Sequence, residues 1–171
     1  MVPRTCMSLL SASLALACLP AQALACADDE ATLFSCVTKD ETKFIQLCAV
    51  RDDAAGGYQS LQYRYGPEGA PELIFPEDRR QGKSAMSFAH AFDKSTYVWS
   101  LRFANKGYTY RIFGEGDGAA VEVWKKKKLL AQVMCNERPY SYPDDIRRAS
   151  GCDMNNPFGA AGCSENPPSR K

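Results

Sequence analysis

From Thr32 to Cys135 the chain runs as short segments in which apolar and polar residues alternate. Successive side chains of a β-strand point to opposite faces, so this two-residue period predicts strands with one face in a core. Residues that favour turns, mainly Gly, Pro, Asn and Asp, separate the segments at intervals of roughly eight to twelve residues. We therefore expect an all-β fold, an antiparallel β-sandwich or flattened barrel of about 8–10 short strands.

The best-defined of these segments predicts four core residues at alternate positions, Tyr97, Trp99, Leu101 and Phe103. The Asn-Lys-Gly turn that follows at 105–107 suits positive φ angles and predicts a tight hairpin. The predicted strands are Leu33–Val37, Phe44–Val50, Ser60–Tyr65, Glu72–Phe75, Ala85–Phe92, Tyr97–Ala104, a strand through Tyr108, Tyr110 and Ile112, Ala119–Trp124 and Leu129–Cys135.

The regular alternation ends after Cys135. Pro143 with two following acids suits a helix start, and Arg147-Arg148 suits its end, so a short helix is predicted at Asp144–Ser150. Residues 151–171 are rich in Gly, Pro, Asn and Ser. We expect them to form an irregular, partly disordered tail that is held only by a disulfide.

The first 25 residues have the features of an export signal. Arg4 precedes an apolar run from Leu9 to Leu19, and Ala23-Leu24-Ala25 stands before Cys26. The run is too short to cross a bilayer as a helix. We expect cleavage after Ala25 and a periplasmic or secreted protein.

Without this signal the chain carries equal numbers of acidic and basic side chains. The full sequence has 21 Lys and Arg and 20 Asp and Glu, and Arg4 is the one charged residue of the first 25. Nucleic-acid binding needs an excess of positive charge on one face, so nucleic acid is not expected as a partner. No later segment is apolar for long enough to span a membrane. The remaining length predicts one β domain at 26–150, followed by the tail at 151–171.

Of the eight cysteines, Cys6 and Cys18 lie in the signal, which leaves six in the exported chain. An even number in an exported protein favours disulfides. Zinc is disfavoured because the sequence has no Cys-x-x-Cys spacing and a single histidine. We expect two local bridges and one long-range bridge: Cys36–Cys48, Cys152–Cys163 and Cys26–Cys135.

A cysteine directly after the predicted cleavage site raises the question of a lipid anchor. Bacterial lipoprotein signals usually place Leu, a small residue and then Gly or Ala before the cysteine, whereas Cys18 and Cys26 both follow Ala-Leu-Ala. The large Leu at the middle position departs from that pattern. We expect soluble export with Cys26 in a disulfide, and a lipid anchor at Cys18 or Cys26 stays open as the alternative.

Sequence motifs assign no catalytic, cofactor-binding or metal-binding residue. No GxSxG, HExxH, P-loop or dinucleotide-binding motif is present, and a structural or exposed role is expected for the only histidine, His90. Glu115 and Asp117 lie at alternate positions of a Gly-rich loop, where solvated acids are expected rather than a calcium site. A glycosidase-like pair stays open because six acids could converge in space. These acids are Glu68, Glu72, Glu77, Asp93, Glu115 and Asp117.

Tyrosines and lysines supply the candidate binding surface. All eight tyrosines lie beyond the signal, and tyrosine can either fill a core or form a recognition face. Four consecutive lysines at a predicted hairpin tip could dock an anionic partner, although such a run also keeps a hairpin end soluble and unpaired. The candidate surface residues are Tyr58, Tyr63, Tyr65, Tyr108, Tyr110, Lys125, Lys126, Lys127 and Lys128.

Several segments together resemble an uncharacterised family of small exported proteins of Gram-negative bacteria. They are Leu33-Phe34-Ser35-Cys36 with Cys48, Leu61-Gln62-Tyr63-Arg64-Tyr65-Gly66, Glu72-Leu73-Ile74-Phe75-Pro76 and Tyr108-Thr109-Tyr110-Arg111-Ile112-Phe113. The resemblance covers about residues 26–135 and implies a compact, disulfide-bonded β domain. It implies little about activity.

In size, export and β character the chain is also similar to the periplasmic lysozyme inhibitors, which block a hydrolase by inserting a loop. Those inhibitors often carry a Ser-Gly-x-x-Tyr motif, and Gly56-Gly57-Tyr58 is only loosely comparable with it. We therefore expect a non-enzymatic binding protein without cofactor, either an inhibitor of a cell-wall-degrading enzyme or an immunity factor against one. A module that binds a small ligand or a wall polymer is the alternative.

Overall fold

The computed structural model describes residues 26–170. Among them, nine strands have three or more residues and five have two. The strands and helices in chain order are β1 (Ala31–Val37), β2 (Phe44–Ala49), β3 (Arg51–Asp52), β4 (Gly57–Tyr58), β5 (Gln62–Gly66), β6 (Leu73–Phe75), α1 (Gly82–Ala85), β7 (Met86–Asp93), β8 (Thr96–Asn105), β9 (Tyr108–Glu115), β10 (Gly118–Lys125), β11 (Lys128–Met134), β12 (Tyr140–Ser141), α2 (Pro143–Ala149), β13 (Gly151–Cys152) and β14 (Ser169–Arg170).

The strands form two main sheets. The smaller sheet has the order β12-β1-β2-β5-β6, and the larger has the order β11-β10-β9-β8-β7-β13, with β14 also paired to β7. Neighbours are antiparallel, except that β13 and β14 run parallel to β7. The predicted all-β, sandwich-like class with a short C-terminal helix is confirmed. The two α-helices among the described residues have four and seven residues, and neither could cross a membrane.

The core lies between the two sheets and is rich in aromatic rings. Phe34 of β1 packs edge-on against Trp99 of β8, with ring centroids 5.7 Å apart. The ring of Tyr63 on β5 lies 5.1 Å from that of Phe103 on β8, and the two rings are tilted by 49°. Trp99, Leu101 and Phe103 are buried as predicted, while Tyr97 is half-buried and packs against the edge of the core.

Local turn chemistry also follows the sequence. Lys106 and Gly107 both have positive φ, of 50° and 81°, and Asn105 pairs with Tyr108 across them. Two consecutive positive φ angles match the twist of a two-residue hairpin. The predicted helix is present one residue earlier, as α2.

Two of the three predicted disulfides are wrong. In the β1–β2 ladder Cys36 lies opposite Ile45, whereas Cys48 lies opposite Thr32. Four residues along a strand span about 13 Å, too far for a bridge between Cys36 and Cys48. The three bridges are Cys26–Cys48, Cys36–Cys135 and Cys152–Cys163, with Cα–Cα distances of 5.4, 5.7 and 5.6 Å.

The tail has more order than the sequence suggests. Besides the predicted Cys152–Cys163 bridge, its strands β13 and β14 both pair with β7. The N–H of Phe92 donates to the carbonyl of Pro168 at 2.7 Å. The edge of β7 offers unpaired backbone groups, and the tail satisfies them. The predicted export signal, with Cys18, lies outside the described residues.

Candidate functional site

Two of the predicted surface tyrosines belong to the core. Tyr58 and Tyr63 are 8% and 2% exposed, so neither can form part of a recognition face. Burial against Phe103 raises the pKa of Tyr63 far above its ordinary value. Side chains alternate between the two faces of β5, and Tyr63 lies on the face that points into the core. The sequence shows that alternation but does not show which of the two faces the other sheet covers.

The other three predicted tyrosines are half-buried and lie on two different sheets. Tyr65 is on the smaller sheet, where the Lys43 ammonium lies 5.2 Å above its ring. Tyr108 and Tyr110 are on β9 of the larger sheet, and Tyr110 stacks on Phe103 with centroids 4.8 Å apart. The five tyrosines therefore do not form one surface.

The four lysines occupy the β10–β11 hairpin tip, as predicted. Lys125 ends β10, Lys128 begins β11, and all four side chains are exposed. The Lys125 ammonium lies 5.2 Å above the ring of Tyr108. This is the one contact that the structure describes between the predicted lysines and the predicted tyrosines.

A groove of about 310 Å³ lies on the face of the larger sheet that points away from the core. Its floor is made of small side chains, because the ladder registers place Ala89 beside Ser100 and Ala91 beside Val98. Ser100 in turn lies beside Phe113, which forms a wall on β9. Small residues next to an aromatic wall leave a concave surface on a sheet that would otherwise be flat.

The tail supplies the opposite wall through Asn156, Pro157 and Phe158. The Asn156 side chain accepts from the N–H of Phe158 at 2.7 Å and donates to the carbonyl of Gly159 at 2.8 Å. The tail is fastened to the sheet by an ion pair between Asp153 and Arg102 of β8. This wall is thus held in place by side-chain contacts as well as by the Cys152–Cys163 bridge.

Charged side chains border the groove, and Arg111 of β9 is the best anchored. Its guanidinium lies 5.0 Å from the ring of Phe113 and 2.9 Å from a carboxylate oxygen of Glu122. Glu122 is 6% exposed, and its carboxylate also accepts from the indole N–H of Trp124 at 2.9 Å and from Gln132 at 3.4 Å. A buried carboxylate with three partners holds the guanidinium in one place.

Of the six acids that could have formed a catalytic pair, Asp93 and Glu115 border this groove. Glu72 instead pairs with Lys43 at 2.8 Å on the smaller sheet, and Asp117 pairs with Arg138 at 3.2 Å. The groove is therefore bordered by the positive charge of Arg111 and by the negative charges of Asp93 and Glu115.

The single histidine borders the groove but has a structural role. His90 is 3% exposed, with Nδ1 2.7 Å from the Tyr97 hydroxyl and Nε2 2.6 Å from the carbonyl of Ser164. The neutral ring satisfies both contacts, since Nε2–H donates to the carbonyl and Nδ1 accepts from the hydroxyl. Burial lowers the pKa of His90, which favours this neutral form.

One group of three potential metal ligands occurs among residues 26–170: Cys26, Glu30 and Cys48. The two sulfur atoms are joined in a disulfide, so they are not thiolate ligands.

Comparison with family models, with curated proteins and with solved structures finds no match. The chemistry of the groove must therefore be argued from its own residues. Sequence reasoning missed Arg111, Phe113 and Phe158, although Arg111 and Phe113 fall within the segments that carry the family resemblance. The alternation at 111–115 was the available signal, because it places Arg111, Phe113 and Glu115 on one face.

Proposed function

We propose that this chain is an exported, non-enzymatic binding protein that holds a small zwitterion, such as a short peptide, in the outer-face groove. The observation that carries this proposal is the position of Arg111 and Glu115 at the groove, on the same strand and the same face. The carboxylate of a ligand would pair with the guanidinium, and its ammonium would pair with the glutamate.

The spacing of the two charges suits a ligand of two or three amino acids. Four residues of strand place the two Cα atoms about 13 Å apart. Phe113 lies between them on the same face, where it can cover the apolar part of a ligand. A neutral sugar would offer no opposite charge to Glu115 or to Arg111, which would keep Glu122 as its partner, so it would gain no charge-assisted hydrogen bond of this kind.

The floor favours binding over catalysis. Ala89, Ala91 and Val98 carry no titratable group, and the nearby His90 has both ring nitrogens engaged.

Calorimetric titration of oxidised residues 26–171 with the dipeptide alanyl-alanine tests the proposal. We expect binding that weakens about tenfold when the amine is acetylated or when the C-terminal carboxylate is amidated. The neutral disaccharide chitobiose serves as the comparison. Chitobiose binding as tightly as the dipeptide, or no dipeptide binding at millimolar concentration, would overturn the proposal.

Matched variants locate the site. Glu115→Gln at the groove should weaken dipeptide binding, whereas Asp117→Asn, two residues away and paired with Arg138, should leave it unchanged. Arg111→Gln should weaken binding as well, and its unfolding curve must be recorded because it also removes a partner of Glu122. Equal effects of the groove and control variants would contradict this location.

The periplasmic location is part of the proposal and is tested separately. Expression of the full chain in a Gram-negative host should give a periplasmic protein whose mass equals residues 26–171 with six oxidised cysteines. Recovery in the membrane fraction with an added lipid mass would instead establish the anchor at Cys18 or Cys26.

A second candidate is recognition of a protein, as in inhibition of a wall-degrading enzyme or immunity against one. Tyr140 and Tyr142 favour it, since they are 52% and 47% exposed and their rings meet edge-to-face with centroids 4.8 Å apart. A hydrogen bond with Tyr142 favours the protonated Tyr140 hydroxyl and raises the pKa of Tyr140. Exposed tyrosine pairs of this kind are common at the centres of protein interfaces.

Tyr140 also borders a depression of about 620 Å³ formed with β1 and residues 136–138. Assays of a purified lysozyme and of a wall amidase, with and without this protein, test the second candidate. Inhibition that is lost in Tyr140→Ala and kept in Tyr108→Ala would support it. Full enzyme activity at a large excess of the protein would exclude it for those enzymes.

A further inference from the structure

Strand β11 is an edge of the larger sheet and is open as far as Val133, whereas the carbonyl of Met134 accepts from the N–H of Lys39 at 2.9 Å. Its described sheet partner is β10, and six of its seven residues are exposed, the exception being the half-buried Val133. The stretch from Leu129 to Met134 contains no charged residue and no proline. Leu129, Leu130 and Met134 are 41%, 47% and 43% exposed.

The opposite edge of the same sheet is covered by other strands. There, β7 is covered by β13 and β14 of the tail. An edge strand that is apolar and uncharged is a template for pairing with another strand, and native proteins usually protect such an edge with charges, prolines, β-bulges or a covering segment. The lysines of the hairpin tip precede the apolar stretch, which contains one irregularity: the register with β10 shifts between Val123 and Trp124, so Leu130 forms a bulge.

Charge is distributed unequally along this edge. Lys125–Lys128 make one end basic. The other end, around Cys135, carries four acids and two basic residues. The acids are Asp40, Glu41, Asp117 and Glu137, and the basic residues are Lys39 and Arg138.

We propose that β11 pairs with β11 of a second copy of this chain, antiparallel and about a two-fold axis near Ala131. In that arrangement Leu129 lies opposite Val133 of the second copy, and the pairing stops before Met134, whose carbonyl is bonded to Lys39. The basic tip of each copy then meets the acidic end of the other, so both charge contacts are favourable. The larger sheets become one continuous sheet, and the exposed apolar side chains gain cross-strand neighbours. This inference does not depend on the groove or its ligand.

Sedimentation equilibrium of oxidised residues 26–171, from about 1 µM to about 1 mM, tests the proposal. We expect a monomer–dimer equilibrium that weakens as salt is raised, because exposed charge pairs are screened. Ala131 is exposed, so Ala131→Lys should fold normally while placing like charges across the axis, and it should weaken the dimer at least tenfold. A protein that is monomeric throughout this range, or a dimer unaffected by Ala131→Lys, would overturn the proposal.

Charge reversal tests the antiparallel direction. Changing Lys126, Lys127 and Lys128 to Glu gives the tip a net negative charge and should weaken the dimer, and adding Glu41→Lys with Glu137→Lys should restore it. Changing Lys83, Lys94 and Lys106 to Glu makes the same change of charge away from β11 and should have little effect. Failure of the restoring pair, with circular dichroism unchanged, would exclude the proposed arrangement.

Discussion

Cys36 of β1 is bonded to Cys135, the residue that follows β11, so one covalent link joins positions 99 residues apart. Backbone pairing of Thr38 with Cys135 accompanies the link. The first strand of the smaller sheet is thereby tied to the edge strand of the larger one. This corner is where the two sheets are fastened together.

Removing that link should cost more stability than removing the tail bridge. In the chain-entropy model a loop of about 100 residues contributes about 4.7 kcal/mol, whereas the short Cys152–Cys163 loop contributes about 3 kcal/mol. We expect Cys36→Ser with Cys135→Ser to lower the free energy of unfolding more than Cys152→Ser with Cys163→Ser. Urea denaturation of both double variants measures this, and the reverse order would contradict it.

Glu30 should be a structural anchor for the N-terminal segment. Its side chain is 0% exposed, and its carboxylate lies 2.9 Å from Arg64 and 2.8 Å from Arg79. Glu30→Gln removes the charge and should lower the free energy of unfolding by about 2 kcal/mol. Asp78→Asn is the control, because the Asp78–Arg80 pair is exposed and should be worth less than about 1 kcal/mol. Equal losses in the two variants would show that burial of Glu30 is irrelevant.

Stability should fall in mild acid because of His90. Burial lowers its pKa in the folded protein below the ordinary value of 6.5, so the unfolded chain binds the proton more readily. The contribution to stability is therefore complete above pH 6.5 and is lost as the pH falls through the lowered pKa. Urea unfolding at pH 8 and at about pH 5 should show a larger loss in the natural protein than in His90→Gln. The same loss in both proteins would mean that other groups cause it.

Gly114 should be required for the position of Trp99. A Cβ at this position would lie 2.2 Å from the indole Nε1, so the ring would have to move. Gly114→Ala should cost about 1–3 kcal/mol and change the tryptophan fluorescence of the folded protein. At Gly118 the nearest atom to an added Cβ is 3.7 Å away, so Gly118→Ala should change neither property. Unchanged fluorescence in Gly114→Ala would disprove the contact.

Much of the local architecture was predictable because it depends on short-range rules. Alternation in the segment from Tyr97 to Phe103 gave a strand with three buried residues, and Asn105-Lys106-Gly107 gave the hairpin. Pairing of the cysteines was not predictable in this way. Nearness in sequence suggested Cys36–Cys48, but the ladder register places these two residues about 13 Å apart along the hairpin.

The groove was even harder to predict from the sequence than the pairing of the cysteines. Arg111 and Glu115 are visibly on one face of a strand, but their wall of Asn156–Phe158 comes from more than 40 residues further along the chain. The burial of the tyrosines could not be predicted for the same reason. Alternation places Tyr63 on one face of its strand but does not show whether another part of the protein covers that face.

The sequence by itself determined the strand segments, the tight turns and the short helix, because these follow from backbone geometry and side-chain period. It also determined the use of six cysteines in disulfides, because an even number of cysteines in an exported protein favours oxidised pairs. Tertiary structure alone decided which cysteines meet, which tyrosines are buried, how the tail covers β7 and where a groove opens. Those outcomes depend on contacts between residues far apart in the chain, and the sheet registers that create them are fixed by packing of the whole core.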